Sequence, residues 1–119
     1  MIEIQFGEKL IQYEDAFLHY AEQPETPENV HKLAAYGVLY SEALMDEDQA
    51  SYIELPKRVD QLKKNANILL NCRMLLRFEY KLGGPIIDGI DGTVAAIEEF
   101  VVRRHSSVAA QQSSSSLLS

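Results

Sequence analysis

Several residue pairs in this 119-residue chain have types and spacing that could do chemistry. Glu28-Asn29-Val30-His31 has the Glu-x-x-His spacing that sets a carboxylate and an imidazole on one helix face, as carboxylate-bridged two-metal sites require. Such a site needs a second pair and two more inward carboxylates. This chain supplies one pair, at a helix start and off the apolar stripe. Asp15 and His19 stand i, i+4 on another helix, and in an antiparallel hairpin His19 would lie level with His31. The helical wheel puts His19 opposite Leu10 and Phe17, so both histidines are expected on the surface. Asp46-Glu47-Asp48 lacks the alternating oxygens and central glycine of a calcium loop, and reads as a solvated helix end. Cys72 is the only cysteine, which excludes an internal disulfide and a cysteine-cluster metal site. It sits among leucines and is expected to be a small buried hydrophobe. Gly89 and Gly92 lack the pattern and the preceding strand of a phosphate loop. Ala34 and Ala35 stand where a phosphotransfer histidine would be followed by Lys and Gly. No residue is therefore assigned a catalytic, metal-binding or cofactor-binding role, and the chain reads as a non-enzyme.

What remains is charge. Residues 1–54 hold twelve acidic and two basic side chains, residues 55–82 hold seven basic and two acidic, and the whole chain carries −7. Within the basic stretch Arg73, Arg77 and Lys81 are spaced i, i+4, i+8, which aligns them as a ridge on one side of a helix. Such a ridge can pair with the chain's own acids, Glu42 and the 46–48 run first among them, or it can grip an outside partner. These three are the candidate partner-binding residues. The low pI disfavours nonspecific binding to nucleic acid, because a phosphate backbone repels the protein as a whole.

The elements that must position this ridge are helices. One domain is expected from the length, and no stretch approaches the ~20 apolar residues of a membrane span. Apolar spacing predicts a first helix over about 8–22, with Leu10, Tyr13, Phe17, Tyr20 and Ala21 on one face. Ile2, Ile4 and Phe6 ahead of it alternate like a short strand, or serve as an extended lead-in. Thr26-Pro27 predicts the start of a second helix, Thr as N-cap and Pro in the first turn. Its stripe is Val30, Leu33, Ala34, Gly37, Val38, Ser41, Leu44 and Met45, with small residues at the centre that admit a close neighbour. A third helix is expected from Pro56 to Leu82, capped by Gly83-Gly84 and stopped by Pro85. A fourth follows to His105, firmest over 93–104 because Gly89 and Gly92 weaken its start. The Ser-rich stretch 106–119 reads as a flexible tail appended to a 1–105 bundle domain.

The third helix poses a problem of faces. Leu55, Val59, Leu62, Ala66 and Leu69 form one stripe, whereas Ile68, Cys72, Leu75, Phe78 and Leu82 fall on nearly the opposite side. The expectation is that the helix bends near Asn65–Asn67, runs between two neighbours of which one is another subunit, or is enclosed throughout.

Together these readings predict an all-α, compact antiparallel bundle of about four helices. They predict a cytoplasmic, non-enzymatic protein-binding module, such as an adaptor, assembly chaperone or inhibitor, with a protein partner or a second copy of itself and without cofactor, metal or membrane. The alternatives are an acidic nucleic-acid mimic that blocks a basic target, and a small helical nucleic-acid binder using the basic third helix.

Overall fold

The structure, a computed structural model, describes the backbone of residues 8–118 and the side chains through Arg104. The alternating Ile2, Ile4 and Phe6 lie outside the described residues. Among the described residues there is no strand. Four long helices and one single turn account for the fold: α1 Glu8–Ala21, α2 Pro27–Met45, α3 Glu47–Ala50, α4 Leu55–Met74 and α5 Pro85–Leu118. The chain is all-α.

Local chemistry explains the boundaries. The Thr26 hydroxyl accepts a hydrogen bond from the Asn29 backbone N–H at 3.1 Å, and Pro27 occupies the first turn, so α2 starts where expected. Asp46 has an extended backbone that ends α2, and its carboxylate accepts from the Asp48 N–H at 2.9 Å to open α3. The acidic run is thus a cap for a one-turn helix whose Ala50 is fully buried.

The end of α4 differs from expectation. A π-helical turn, Leu75–Glu79, follows Met74, with the Tyr80 N–H donating to the Leu75 carbonyl at 2.9 Å. The left-handed residue that closes it is Lys81, with φ 55°, not Gly83. The Leu82 N–H reaches back to the Leu76 carbonyl at 2.6 Å, a widened form of the usual left-handed helix ending. Gly84, with φ 92°, instead makes the bend into Pro85. Helix α5 begins at Pro85 despite its glycines and stays helical past His105 to Leu118, with no Gly or Pro after Gly92 to stop it.

Side-chain pairs set the register. Phe17 packs on Tyr40 with ring centroids 5.6 Å apart, and Tyr20 stacks on Tyr36 at 5.7 Å, so α1 runs antiparallel to α2. Gly37 faces Leu69 and Ser41 faces Asn65, so α4 runs antiparallel to α2. Arg73 meets Asp91 while Arg58 meets Phe100, so α5 runs antiparallel to α4. The core is built from Phe17, Ala34, Leu44, Leu62, Leu69, Leu76, Ile90 and Ile97 where these helices converge. Ala21, expected on the packed face of α1, is exposed, and Tyr40, not expected in the core, is 3% exposed. Tyr40 can be buried because its hydroxyl donates to Glu14 Oε2 at 2.9 Å. Burial first, and then this carboxylate, raise its pKa.

Candidate functional site

The functional question sits on α4, so what holds that helix comes first. Its buried line is Arg58, Leu62, Asn65, Leu69, Cys72 and, in the π turn, Leu76. The spacing is 4-3-4-3-4, which keeps one side of a straight helix against the core. The expected change of face does not occur. The buried stripe passes through two polar residues, Arg58 and Asn65, where an apolar pattern cannot show it.

Both polar residues find partners inside, although the buried Nε of Arg58 has none among the described residues. Asn65 is fully buried; its Nδ2 donates to Ser41 Oγ at 3.2 Å, and its Oδ1 accepts from Gln61 Nε2 at 2.9 Å. Arg58 is 5% exposed. Its Nη1 donates to the Leu44 carbonyl at 3.4 Å, in the last turn of α2 where the helix dipole favours a cation. Its Nη2 donates to both carboxylate oxygens of Glu47, at 3.1 and 3.3 Å, and its guanidinium lies 5.9 Å from the Phe100 ring centroid. Arg58 thus ties α4 to α2, α3 and α5 at once. The 46–48 acids do pair with a basic residue of this helix, but it is Arg58 and not the ridge. Nothing in the spacing of Arg58 marks it as buried.

The ridge itself divides. Arg73 is pinned to α5: its Nε donates to Asp91 Oδ1 at 2.6 Å and its Nη2 to Asp91 Oδ2 at 3.4 Å, with the Arg73 side chain 28% exposed. The partner is an acid of α5, not one from the acidic first half. Arg77 and Lys81 are exposed, and no carboxylate lies within ion-pair distance of either among the described residues. Arg77 rests its guanidinium 5.9 Å from the Phe78 ring centroid. They share a shallow hollow with Ile87 and Asp88 at the start of α5.

Beside them lies an exposed apolar line. Leu70, Met74 and Phe78 are 46%, 51% and 65% exposed, at i, i+4, i+8 along the outward side of α4, and Leu82 beyond the π turn is 42% exposed. Phe78 and Leu82 were expected on a second buried face, whereas both are exposed. Cys72 is buried as expected, and Ile68 and Leu75 are half-buried. The α4 outer face is therefore a line of large apolar side chains with exposed cations, Arg77 and Lys81, along its edge.

The other candidates separate. Glu28 binds Lys32 at 3.3 Å, and this hydrogen bond raises the Lys32 pKa. His31 and His19 are both exposed, and His19 packs edge-on to Tyr20 at 4.9 Å. Among the described residues no three His, Cys, Asp or Glu side chains gather as metal ligands, and no helix is long and apolar enough to cross a membrane. A cleft of about 250 Å³ opens between the α1–α2 turn and α4, with Val30, Leu33, Ile68 and Cys72 inside and Asn67 and Asn71 at the rim. The Cys72 thiol is pushed up to about 11, by burial first and then by Glu25, which leaves it protonated and unreactive near neutral pH. Comparison of the chain with protein-family models, curated proteins and solved structures finds no match.

Proposed function

We propose that this chain is a non-enzymatic protein-binding module whose contact surface is the outer face of α4. The carrying observation is the exposure of Leu70, Met74 and Phe78 in one line, on a helix whose opposite side is fully committed to the core. Isolated exposed apolar side chains need no explanation, but an aligned set of large ones favours contact with another protein. Met and Phe, with Arg, are also enriched at the centres of such interfaces. Arg77 and Lys81 add cations at the edge of this line, whereas Arg73, held by Asp91, serves the fold. An adaptor, an assembly chaperone and an inhibitor all need such a face, and the partner's identity separates them. The proposed setting is the cytoplasm, compatible with a single buried cysteine that carries no disulfide.

The test is affinity capture from the native host, comparing the wild-type chain with a Leu70→Ser/Met74→Ser/Phe78→Ser variant. The expected result is loss of the captured proteins at an unchanged melting temperature, since all three side chains face solvent. Capture of the same proteins by the variant would reject this face as the binding surface.

A further inference from the structure

Two exposed helix seams on this chain are matched in length and opposite in charge. Along α1 and the residue that follows it, Glu8, Ile11, Asp15, Leu18 and Glu22 are at 3-4-3-4 spacing, and all five are exposed, Ile11 at 50% and Leu18 at 53%. Along α4 and into the π turn that follows it, Lys63, Asn67, Leu70, Met74 and Arg77 are at 4-3-4-3 spacing, again all exposed. Alternating three- and four-residue steps keep side chains on one line of a helix that can lie along another helix. Each seam spans fourteen residue steps, about 21 Å at 1.5 Å per residue. Each has apolar residues in its interior and charge at both ends. The α1 seam is acidic at both ends and at its centre, and the α4 seam is basic at both ends.

None of these charged residues pairs with another side chain of the same chain among the described residues, except that Arg77 lies near the Phe78 ring. Lys64, by contrast, is paired to Asp60, and Arg73 to Asp91. The charges at the ends of the two seams are thus free to meet an outside partner.

We propose that the α1 seam of one copy docks along the α4 seam of a second copy. The end charges then meet opposites in either helix direction: Glu8 and Glu22 face Lys63 and Arg77. Ile11 and Leu18 lie over the stretch that holds Leu70 and Met74. Each chain carries one seam of each kind, so the two contacts of a pair can reciprocate and close a dimer. This assignment builds on the α4 face proposed above and names a second copy as one of its occupants.

The test uses the full chain and charge reversal on each seam. Variant one carries Glu8→Lys and Glu22→Lys, and variant two carries Lys63→Glu and Arg77→Glu. Analytical ultracentrifugation at about 100 µM, a concentration that populates even weak dimers, should show association of the wild type that weakens in high salt. Each variant alone should associate at least roughly 100-fold more weakly, because like charges then face each other. An equimolar mixture of the two should recover association, since the reversed α1 of one variant then meets the reversed α4 of the other, and unreversed α1 meets unreversed α4. Recovery also proves that both variants are folded. Should either lose its circular dichroism signal, Leu18→Ser replaces it, and weaker association is again the expected result. A wild type that stays monomeric at this concentration overturns the proposal, as does an oligomer that neither reversal weakens. A monomer whose α4 outer face still captures a different protein would remove self-docking and leave the proposed function standing. Mixture recovery without any captured protein would do the opposite.

Discussion

Gly37 sits where three helices meet, and replacing it tests the whole arrangement. A Cβ added there would stand 2.9 Å from Leu69 Cδ2 and 3.0 Å from Phe17 Cε1. Ordinary carbon contacts lie at about 3.5–4.0 Å. Leu69 and Phe17 are 0% and 1% exposed, so neither has solvent to move into. Two effects oppose each other in Gly37→Ala. The helix gains about 1 kcal/mol from the better helix former. Overpacking costs about 1–3 kcal/mol. The net expectation is no gain, or a loss of up to about 2 kcal/mol, and Gly37→Leu should cost about 3 kcal/mol, since its longer side chain must part α1 from α4. The control is Gly92→Ala, in the same fold but with nothing within 4 Å of the added carbon. That change should stabilise by about 0.5–1 kcal/mol. Urea unfolding followed by far-UV circular dichroism gives both values, and each kcal/mol also moves the melting temperature by roughly 4–8 °C for a domain near 100 residues. Leu69→Ala should also cost less in the Gly37→Ala background than alone, because the new methyl group fills part of the cavity. If Gly37→Ala stabilised the protein as much as Gly92→Ala, the close approach of α1, α2 and α4 at Gly37 would be refuted.

Three more expectations follow from particular contacts. Removing Glu47 should cost more than replacing Arg58 with Met. Glu47→Ala strands a buried guanidinium, a loss on the order of 3 kcal/mol, while Arg58→Met keeps most of the packing and leaves behind a carboxylate that is 58% exposed; chemical denaturation of both variants decides the order. Lys81→Gly should raise stability by about 1 kcal/mol, because the left-handed backbone at φ 55° strains a residue with a Cβ, and an unchanged denaturation midpoint would count against that conformation. Cys72 makes the fold sensitive to alkali: its thiol titrates at about 11 in the folded chain against 9.0 for an ordinary thiol. Between these values the unfolded chain has lost the proton that the folded chain keeps, so stability falls as pH rises from about 9 to 11, by at most about 3 kcal/mol. The raised pKa of Tyr40 acts in the same direction in both proteins, so the extra loss of stability of the wild type over Cys72→Ala in pH-dependent urea titrations reports the thiol.

Features set by neighbours in the chain were legible from residue types. Thr26-Pro27 predicts the start of α2 because a hydroxyl cap and a proline act within one turn. Gly37 and Ser41 predict a close approach because small residues on an apolar stripe leave room for another helix, and Leu69 and Asn65 occupy it. The absence of period-two alternation across the central chain predicts an all-α fold. Hydropathy alone misreads the second half of α4. It tells which side chains could be buried, not which find a partner, and Phe78 and Leu82 stay 65% and 42% exposed.

The tertiary structure decided everything that depends on register between distant elements. Arg58 is buried because α2, α3 and α5 meet around it and supply a carbonyl, a carboxylate and an aromatic ring, none of which the local sequence announces. Arg73 serves the fold and Arg77 does not, although they are one helical turn apart, because only Arg73 comes level with Asp91, eighteen residues on. The αL ending at Lys81 likewise follows from a π turn whose extra residue shifts the cap ahead of Gly83. Periodicity and capping are short-range and survive in a list of residues. Ion pairs between helices, and the side of a helix left bare, are set by how five elements share one core.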